Sequence, residues 1–483
     1  MNFKAISRNV GFALLVSALF MLLSVGISVL DGDSAFEPLL ISFLITFVIG
    51  IFPFIFVRKT SQISLKDGYM IIVLSWVLSF IFGMLPYALW GGPFTLANAW
   101  FESVSGFTTT GATILDDIEA LPRSLLFWRS STHFIGGLGV VVFLLLVIPD
   151  SNPMRLRLTN MELSSLSKGG YSTRANRTVY IFAYVYLAIA VLSFLSFLLA
   201  GMDAFDAVCH AFSVCATGGF STRNLSIASF DSTTIEVIAL VFMLLSSLHF
   251  GLLFLAVVNK SLKPLNNSVL KFYLLMLFII SLGVGLSLKF KGVEQSFGDA
   301  LWKGTFQTVS AASTTGFAIT DNSTWPYLPS ALLMVMAVMC GCAGSTSGGL
   351  KADRILVLFK TIRCRLGRTL YPSSVNEVRL GSRLLRDEEV APHILFVAFY
   401  LIVIAVSTLL VMILGLDGDY SLFGSIVSLG NVGPAIRDLG YMGSFNSIPA
   451  SVKLVFSFNM FLGRVEIYPV LAVFAMAFDV RKR

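Results

Sequence analysis

A short glycine motif occurs four times along this chain, each time between strongly apolar segments. The four copies read Thr109-Thr110-Gly111-Ala112, Gly218-Gly219-Phe220-Ser221, Thr314-Thr315-Gly316-Phe317 and Asn431-Val432-Gly433-Pro434. From glycine to glycine the intervals are 108, 97 and 117 residues. Recurrence at a nearly constant interval is typical of a structural unit used repeatedly. Because four copies of a membrane hairpin can surround one axis, the motif predicts a central pore.

The resemblance between the copies extends upstream of the glycine. Ten positions before it the chain has Phe101, Cys209, Phe306 and Phe423. Six positions before it the chain has Ser105, Ser213, Ser310 and Val427. Small-residue clusters also occur in membrane helices simply because they allow close packing, so one copy alone would mean little. Four copies in one register favour a true repeat.

Composition places the repeats in a membrane. Of the 483 residues, 56% are hydrophobic and only 13% are charged, against roughly a quarter in soluble proteins. About 20 apolar residues span a bilayer as a helix. Ten segments satisfy this length, at about 9–30, 36–57, 68–90, 124–148, 178–200, 234–258, 270–288, 328–360, 391–415 and 448–478.

Four amphiphilic stretches lie between these spans and end at the glycine motifs. They cover about 95–109, 204–217, 297–314 and 419–431 and are too short to cross a bilayer. We therefore predict an all-α integral membrane protein with four tandem helix–pore-loop–helix repeats around a central pore, preceded by two extra transmembrane helices. The predicted boundaries are 1–60 for the two N-terminal helices and 61–150, 151–262, 263–372 and 373–483 for the repeats, the third with a broken second helix.

Basic residues predict the orientation of the chain. Under this topology most of the 34 lysines and arginines fall on one side, which the positive-inside rule makes cytoplasmic. Both termini are then cytoplasmic, and the glycine motifs open to the outside. Acidic residues such as Asp116 and Asp117 lie on that outer side. They could attract a cation, or they could simply be solvated loop carboxylates.

The glycine loops have the chemistry of a cation filter. Non-helical backbone at membrane depth is tolerated only where it is buried in protein or lines water. Its free carbonyl oxygens can replace the hydration shell of an alkali cation, and glycine lets a carbonyl turn toward the axis without strain. Since the loops contain no carboxylate, a divalent-cation site is disfavoured. The predicted filter residues are Thr110, Gly111, Gly218, Gly219, Thr315, Gly316, Val432 and Gly433.

A glycine-rich break interrupts the span near 328–360. Four glycines among the nine residues from Gly341 to Gly349 cannot hold a straight helix. A phosphate-binding loop is excluded because Leu350 and Lys351 follow the last glycine. A packing kink and a flexible loop beneath the filter both remain open, and we favour the loop. Its predicted gating residues are Gly344, Ser345, Thr346, Ser347, Gly348 and Gly349.

One arginine, Arg464, lies inside the last apolar span. An intramembrane arginine is costly and usually faces water or a partner. Pairing with Glu466 within one helix is disfavoured, because residues two apart do not face each other. A structural ion pair elsewhere is possible, but we favour a pore barrier, a positive charge below the filter.

These motifs resemble the Trk/Ktr/HKT superfamily of potassium transporters. The segments that carry the resemblance are FESVSGFTTTGAT, AFSVCATGGFSTRN, TVSAASTTGFAITDNSTWP, SLGNVGPAI, MCGCAGSTSGGLK and MFLGRVE, and with the two N-terminal helices they are most like its bacterial TrkH branch. The resemblance implies a K⁺-selective pore of the bacterial plasma (inner) membrane, with K⁺ bound in the filter. It also implies a homodimer gated by a cytoplasmic TrkA-like nucleotide-binding ring, and it assigns gating to the glycine-rich break and to Arg464.

The same resemblance bears on selectivity. In that superfamily a serine in place of the first filter glycine accompanies sodium permeation, whereas this chain has Gly111, Gly219, Gly316 and Gly433. Potassium is therefore the favoured ion. The fourth motif departs most from the Thr-x-Gly pattern. A Na⁺ or mixed Na⁺/K⁺ transporter, or one coupled to H⁺, is the alternative.

Other functional classes find little support in the sequence. The basic loop from Lys351 to Arg386 is compatible with anionic lipid or with a docked regulator, and the resemblance favours the regulator. Five cysteines and four histidines show no metal or disulfide spacing. No carboxylate pair or nucleophile–base set suggests an enzyme. We expect no organic cofactor and no nucleic-acid partner.

Overall fold

The protein is built almost wholly of helices. The computed structural model describes residues 1–58, 63–147, 175–371, 377–380, 383–435 and 439–479. Its helices are α1 (Phe3–Asp31), α2 (Phe36–Phe56), α3 (Leu65–Gly83), α4 (Leu85–Trp90), α5 (Leu96–Phe107), α6 (Arg123–Val147), α7 (Ala175–Leu199), α8 (Ala204–Ala216), α9 (Thr233–Ser247), α10 (Phe250–Val258), α11 (Ser268–Phe290), α12 (Phe297–Ala312), α13 (Tyr327–Met339), α14 (Ala352–Leu370), α15 (Asp387–Ile413), α16 (Gly418–Gly430), α17 (Ala450–Arg464) and α18 (Tyr468–Asp479). The predicted all-α membrane fold is confirmed.

The first two helices form a tight hairpin. A Cβ atom on Gly11 would lie 2.6 Å from the Gly50 carbonyl oxygen, so the backbones of α1 and α2 touch where these glycines meet. Beyond α1, the carboxylate of Asp33 accepts hydrogen bonds from the amide and hydroxyl of Ser124 at 3.2 and 2.7 Å. The hairpin is thereby attached to the start of α6.

Four short helices, α5, α8, α12 and α16, correspond to the predicted amphiphilic stretches. Three of them begin at a side-chain cap: Thr95, Asp203 and Ser296 each accept a hydrogen bond from an amide of the first turn. Such caps satisfy amides that have no partner within the helix. We call α5, α8, α12 and α16 the re-entrant helices, because an irregular segment and then another α-helix follow each of them.

Most of the expected membrane spans are present. Within the described ranges, six helices are long and apolar enough to cross a membrane, and two bent pairs, α9 with α10 and α17 with α18, raise this number to eight if each pair is one span. The bends are 103° and 107°. The segment expected at 124–148 forms α6, and the segment expected at 328–360 forms α13 and α14 on either side of a non-helical stretch.

That non-helical stretch runs from Cys340 to Lys351. Cys340, Gly344, Gly349 and Lys351 have φ values of 53°, 78°, 67° and 70°. A left-handed backbone at four of twelve positions excludes a kinked helix, so the predicted break is a loop. After α14, strands β1 (Val378–Leu380) and β2 (Arg383–Leu385) pair antiparallel, with Val378 opposite Leu385.

Candidate ion-conduction site

The segments after the four re-entrant helices share one backbone conformation. Each has a residue with positive φ followed, two positions on, by a glycine with positive φ. The first residues are Thr109, Thr217, Thr314 and Asn431, with φ of 52°, 55°, 59° and 54°, and the glycines are Gly111, Gly219, Gly316 and Gly433, with φ of 80°, 88°, 80° and 86°. A β-branched threonine rarely adopts this conformation. Such strain persists only where the surroundings enforce it, and it is common at functional sites.

The same hydrogen bond closes each helix end. The amide before each glycine donates to a carbonyl five residues earlier, in the pairs Thr110–Ser105 at 2.9 Å, Gly218–Ser213 at 2.9 Å, Thr315–Ser310 at 3.0 Å and Val432–Val427 at 3.0 Å. This bond is characteristic of the Schellman helix end. The accepting carbonyl belongs to the residue six positions before the glycine in every copy, so the four helices end at the same distance from the glycine. Since the acceptor is backbone, Val427 serves as well as a serine.

The four glycines lie in one closed ring. The carbonyl oxygen before each glycine lies against the glycine of the preceding motif. A Cβ atom would lie 2.0 Å from the Gly218 oxygen on Gly111, 1.9 Å from the Thr315 oxygen on Gly219, 2.8 Å from the Val432 oxygen on Gly316 and 2.3 Å from the Thr110 oxygen on Gly433. The order runs from repeat 1 through 2, 3 and 4 back to 1. We call these four glycines and the four residues before them the glycine ring.

The fourth motif belongs to this ring despite its different sequence. The Nδ2 atom of Asn431 donates to the Thr110 hydroxyl at 3.1 Å and to the Met460 carbonyl at 2.8 Å. The asparagine side chain therefore ties the fourth motif to the first and to α17. Asparagine also tolerates positive φ better than threonine does. The departure noted in the sequence leaves the backbone of the ring intact.

A cavity of about 130 Å³ lies on one side of the ring, and all four glycines line it. Asp116 also lines it, with hydrogen bonds to Ser444 and Asn446. Asp117 accepts a bond from Asn224 at 2.9 Å. These two predicted outer carboxylates therefore hold loops together as well as supplying negative charge.

The glycine-rich loop contacts two of the ring motifs. The hydroxyl of Thr346 donates to the Cys215 carbonyl, in the last turn of α8, at 3.1 Å. The amide of Gly348 donates to the hydroxyl of Thr314, a strained residue of the third motif, at 3.1 Å. All six predicted gating residues belong to this non-helical loop. The structure thus brings the predicted loop and the predicted filter into direct contact.

Arg464 lies beside the same loop. Its Nη1 donates to the Thr346 carbonyl at 2.8 Å, and its Nη2 donates to the Gly136 carbonyl of α6 at 2.7 Å. A second cavity, of about 120 Å³, is lined by Arg464 together with loop residues from Gly344 to Gly348. The loop that lines this cavity also bonds to Thr314 of the third motif, and the guanidinium joins the loop to α6.

The sequence analysis did not predict an ion cluster that lies at this second cavity. Glu466 pairs with Arg354 at 2.8 Å and with Lys351 at 3.6 Å. Glu466 and Lys351 both have positive φ, at the bend after α17 and at the end of the loop. The sequence shows the charges but not the pairing, because Arg354 and Glu466 are 112 residues apart.

A buried ion pair behind the ring was also missed. The Nε atom of Arg129 donates to Glu102 at 2.8 Å, and the two side chains are only 1% and 0% exposed. An acidic residue in a re-entrant helix and an arginine in an apolar span are both visible in the sequence. Their pairing requires the packing of α5 against α6, which the sequence does not show.

The His, Cys, Asp and Glu side chains of the described residues form no metal-binding cluster. Among these residues no group of three or more His, Cys, Asp or Glu side chains could hold a metal ion. The five cysteines are free, and four of them are buried. The chemistry of the site is therefore that of backbone carbonyls, small polar side chains and two charged clusters.

Among the described residues, six helices, or eight if each bent pair is one span, could cross a membrane, and four re-entrant helices end at one ring of non-helical backbone. This arrangement defines a polytopic membrane protein. The sequence model of the TrkH family, described as a cation transport protein, matches residues 38–481. The chain therefore belongs to the TrkH family, which is a family of cation transporters and not of enzymes.

Relatives match the chain over nearly its full length. The Trk system potassium uptake protein TrkH of Escherichia coli strain K12 is 34% identical, with 99% of each chain covered. The Trk system potassium uptake protein TrkG of the same strain is 31% identical, with 98% of each covered. The crystal structure of the potassium transporter TrkH from Vibrio parahaemolyticus has a TM-score of 0.87 at 31% identity, with 98% of each chain covered.

Proposed function

We propose that this protein takes up K⁺ through a gated, selective pore whose filter is the glycine ring. The observation that carries the proposal is the closed ring itself, in which each carbonyl oxygen lies against the glycine of the preceding motif. Carbonyl oxygens so arranged can replace the water around an alkali cation. The re-entrant helices end at the ring, so the negative ends of their dipoles also favour a cation there. The named relatives are potassium uptake proteins, which supports K⁺ as the ion.

The gate in this proposal consists of the glycine-rich loop and Arg464. The loop contacts the second and third motifs, and Arg464 holds the loop against α6 through two carbonyls. A positive charge beside the exit path repels a cation that leaves the filter. Opening requires these hydrogen bonds to break and the loop to move aside.

The regulatory partner in this proposal binds the inner face of the protein. Helix α14 exposes Arg363 and Arg365, and it begins directly after the gating loop. A cytoplasmic TrkA-like nucleotide-binding ring docked here could pull on the loop. Anionic lipid would meet the same basic residues at the membrane surface. We further propose a homodimer in the bacterial plasma (inner) membrane, with both termini in the cytoplasm.

Ion flux through the purified protein tests the proposal. In proteoliposomes, K⁺ and Rb⁺ are expected to permeate much faster than Na⁺ and Li⁺. Gly111→Ser is expected to lower the K⁺/Na⁺ ratio, because any side chain there collides with the Gly218 oxygen. Ala112→Ser, one position further along, is the matched control. An unchanged ratio in a folded Gly111→Ser protein would contradict the filter, and equal Na⁺ and K⁺ flux through the unaltered protein would favour the mixed-cation alternative.

A further inference from the structure

In three of the four repeats, the residue nine positions before the ring glycine has a polar side chain that contacts the segment after that glycine. The four residues at this position are Glu102, His210, Gln307 and Gly424. The three side chains are all 0% exposed, although buried polar groups are costly unless they are hydrogen bonded. Each of them contacts the segment that follows the glycine of its own repeat. We call these three residues the braces.

The brace of repeat 1 is a carboxylate with three kinds of donor. Glu102 accepts from the Thr113 hydroxyl at 3.0 Å, from the Ile114 amide at 3.0 Å and from Arg129 at 2.8 Å. Arg129 also donates to the Ser221 carbonyl at 3.2 Å, just after the ring glycine of repeat 2. The pair therefore holds two neighbouring motifs at once.

The braces of repeats 2 and 3 are an imidazole and an amide. His210 meets the Ser221 hydroxyl through Nε2 at 2.9 Å and the Asp206 carbonyl through Nδ1 at 2.7 Å. Because a carbonyl only accepts, Nδ1 donates the hydrogen bond to Asp206, and Nε2 is left for the Ser221 hydroxyl. The Nε2 atom of Gln307 donates to the Thr320 carbonyl at 3.1 Å.

Repeat 4 has no brace. Gly424 has no side chain, and a Cβ atom there would lie 2.5 Å from the ring of Phe456. An aromatic ring thus occupies the space that a brace fills in the other repeats. At this position, polar side chains support the first three motifs, and the ring of Phe456 packs against α16 in the fourth repeat.

We propose that Glu102, His210 and Gln307 are positioning residues that set the cation discrimination of the ring. The proposal rests on the proposed function, in which the ring is the filter. A ring of carbonyls selects the larger K⁺ only if it resists closing around the smaller Na⁺. The braces supply that resistance, because they fix the segment on the far side of each glycine to its re-entrant helix.

The sharpest test is Gln307→Met, which keeps the length of the side chain and removes the donor without stranding a charge. The K⁺/Na⁺ flux ratio in proteoliposomes is expected to fall about fivefold, which corresponds to about 1 kcal/mol, the value of one hydrogen bond. Thr308→Val is the matched control. Thr308 is as fully buried, but its hydroxyl donates to the Gly304 carbonyl of its own helix at 2.7 Å. The control is expected to keep the ratio.

Two further variants keep the test decisive if Gln307→Met folds poorly. Gln307→His installs the side chain that repeat 2 has at this position and is expected to retain more discrimination than Gln307→Met. The double variant Glu102→Gln with Arg129→Gln removes both buried charges together and is expected to lower the ratio. Melting temperatures measured on the same preparations identify any variant that has lost its fold.

The outcomes separate the braces from the filter. If Gly111→Ser lowers the K⁺/Na⁺ ratio while folded Gln307→Met and the double variant keep it, the brace proposal is overturned and the filter stands. If Gly111→Ser keeps the ratio as well, the filter proposal fails and the braces lose their role with it. A fall in all three variants, with Thr308→Val unchanged, supports both.

Discussion

At the scale of single residues, Arg464 has the clearest physical consequence. Its guanidinium donates to two backbone carbonyls, those of Thr346 and Gly136. Both carbonyls are neutral acceptors, and a guanidinium stays positively charged at physiological pH. Two unit charges about 4 Å apart interact by roughly 4 kcal/mol at an effective dielectric constant of about 20. In the proposed gate, the residue therefore supplies both a mechanical contact and an electrostatic barrier.

Arg464→Ala is expected to raise the K⁺ flux of the purified protein. If only a third of that interaction opposes ion exit, its loss increases the exit rate about tenfold. The K⁺/Na⁺ ratio should change little, because the ring carbonyls are separate from this residue. Vesicle flux and melting temperature are measured on one preparation.

Arg464→Lys is the control for this prediction. It keeps the charge and one contact, so its flux should stay close to that of the unaltered protein. Flux that falls in Arg464→Ala together with a clear loss of thermal stability would show that the arginine is structural, since a buried carbonyl left without its donor costs about 1–3 kcal/mol.

At the scale of secondary-structure elements, hydrogen bonds to the second repeat hold the glycine-rich loop in the position that the proposed gate takes as its closed state. Thr346→Val keeps the shape of the side chain and removes the hydroxyl that donates to the Cys215 and Ser246 carbonyls. Losing about 1 kcal/mol of closed-state stabilisation should raise basal K⁺ flux about fivefold.

A neighbouring serine provides the control for Thr346→Val. The Ser345 hydroxyl bonds to the Cys342 carbonyl and to Ser347, both inside the loop. Ser345→Ala should therefore leave basal flux nearly unchanged. Equal flux from the two variants would mean that contacts between repeats do not hold the loop closed.

One carboxylate, that of Asp33, attaches the N-terminal hairpin to the start of α6. Burial alone would raise the pKa of Asp33, but hydrogen bonds from Ser28, Ser124 and Ala35 outweigh it and hold the pKa below its ordinary value. A lowered folded-state pKa gives stability that is present above the unfolded-state pKa of about 3.9 and is lost as the pH falls through the folded value. Asp33→Asn should lower the melting temperature at pH 7, and the difference should shrink below about pH 4.

Asp31→Asn is the matched control, since it makes the same change in charge two residues away. Asp31 forms only a 3.8 Å ion pair with Arg123, whose side chain is 52% exposed. Exposed pairs contribute little to stability. A melting-temperature loss as large as that of Asp33→Asn would contradict the role assigned to Asp33.

The elements were predicted far better than their contacts. The stretch expected at 95–109 forms Leu96–Phe107, and the stretch expected at 204–217 forms Ala204–Ala216. Such helices can be read from the sequence because hydropathy and the terminal glycine are local signals. The pairing of Glu102 with Arg129 depends on how two helices pack. Side-chain type alone does not reveal that packing, so the sequence analysis predicted neither the three braces nor the two ion clusters.

At the scale of the whole molecule, the glycine ring joins four parts of one chain. The motifs and their repetition could be predicted, because the Thr-x-Gly pattern recurs in order. The circular order of contacts could not, since consecutive motifs lie about a hundred positions apart and the contact that closes the ring joins Gly433 to Thr110, at opposite ends of the chain. The structure also resolves the one apparent exception, because the fourth motif has the same backbone as the others.

Equivalent substitutions around the ring should differ in severity. A Cβ atom would lie 1.9–2.3 Å from a carbonyl oxygen at Gly111, Gly219 and Gly433, but 2.8 Å away at Gly316. Gly316→Ala is therefore expected to be the mildest of the four alanine variants in its effect on the K⁺/Na⁺ ratio. Flux measured on all four gives the ranking, and a Gly316→Ala variant at least as damaging as the others would refute it.

A ring contributed by a single polypeptide has a genetic consequence. In a channel assembled from four identical subunits, one altered allele changes the filter at every position, and mixed subunits give a series of hybrid pores. Here each of the four motifs can mutate alone, and a cell that expresses two alleles contains only two kinds of ring. A defective copy therefore leaves the filter of a normal copy unchanged, so filter mutations that only abolish conduction should behave as recessive.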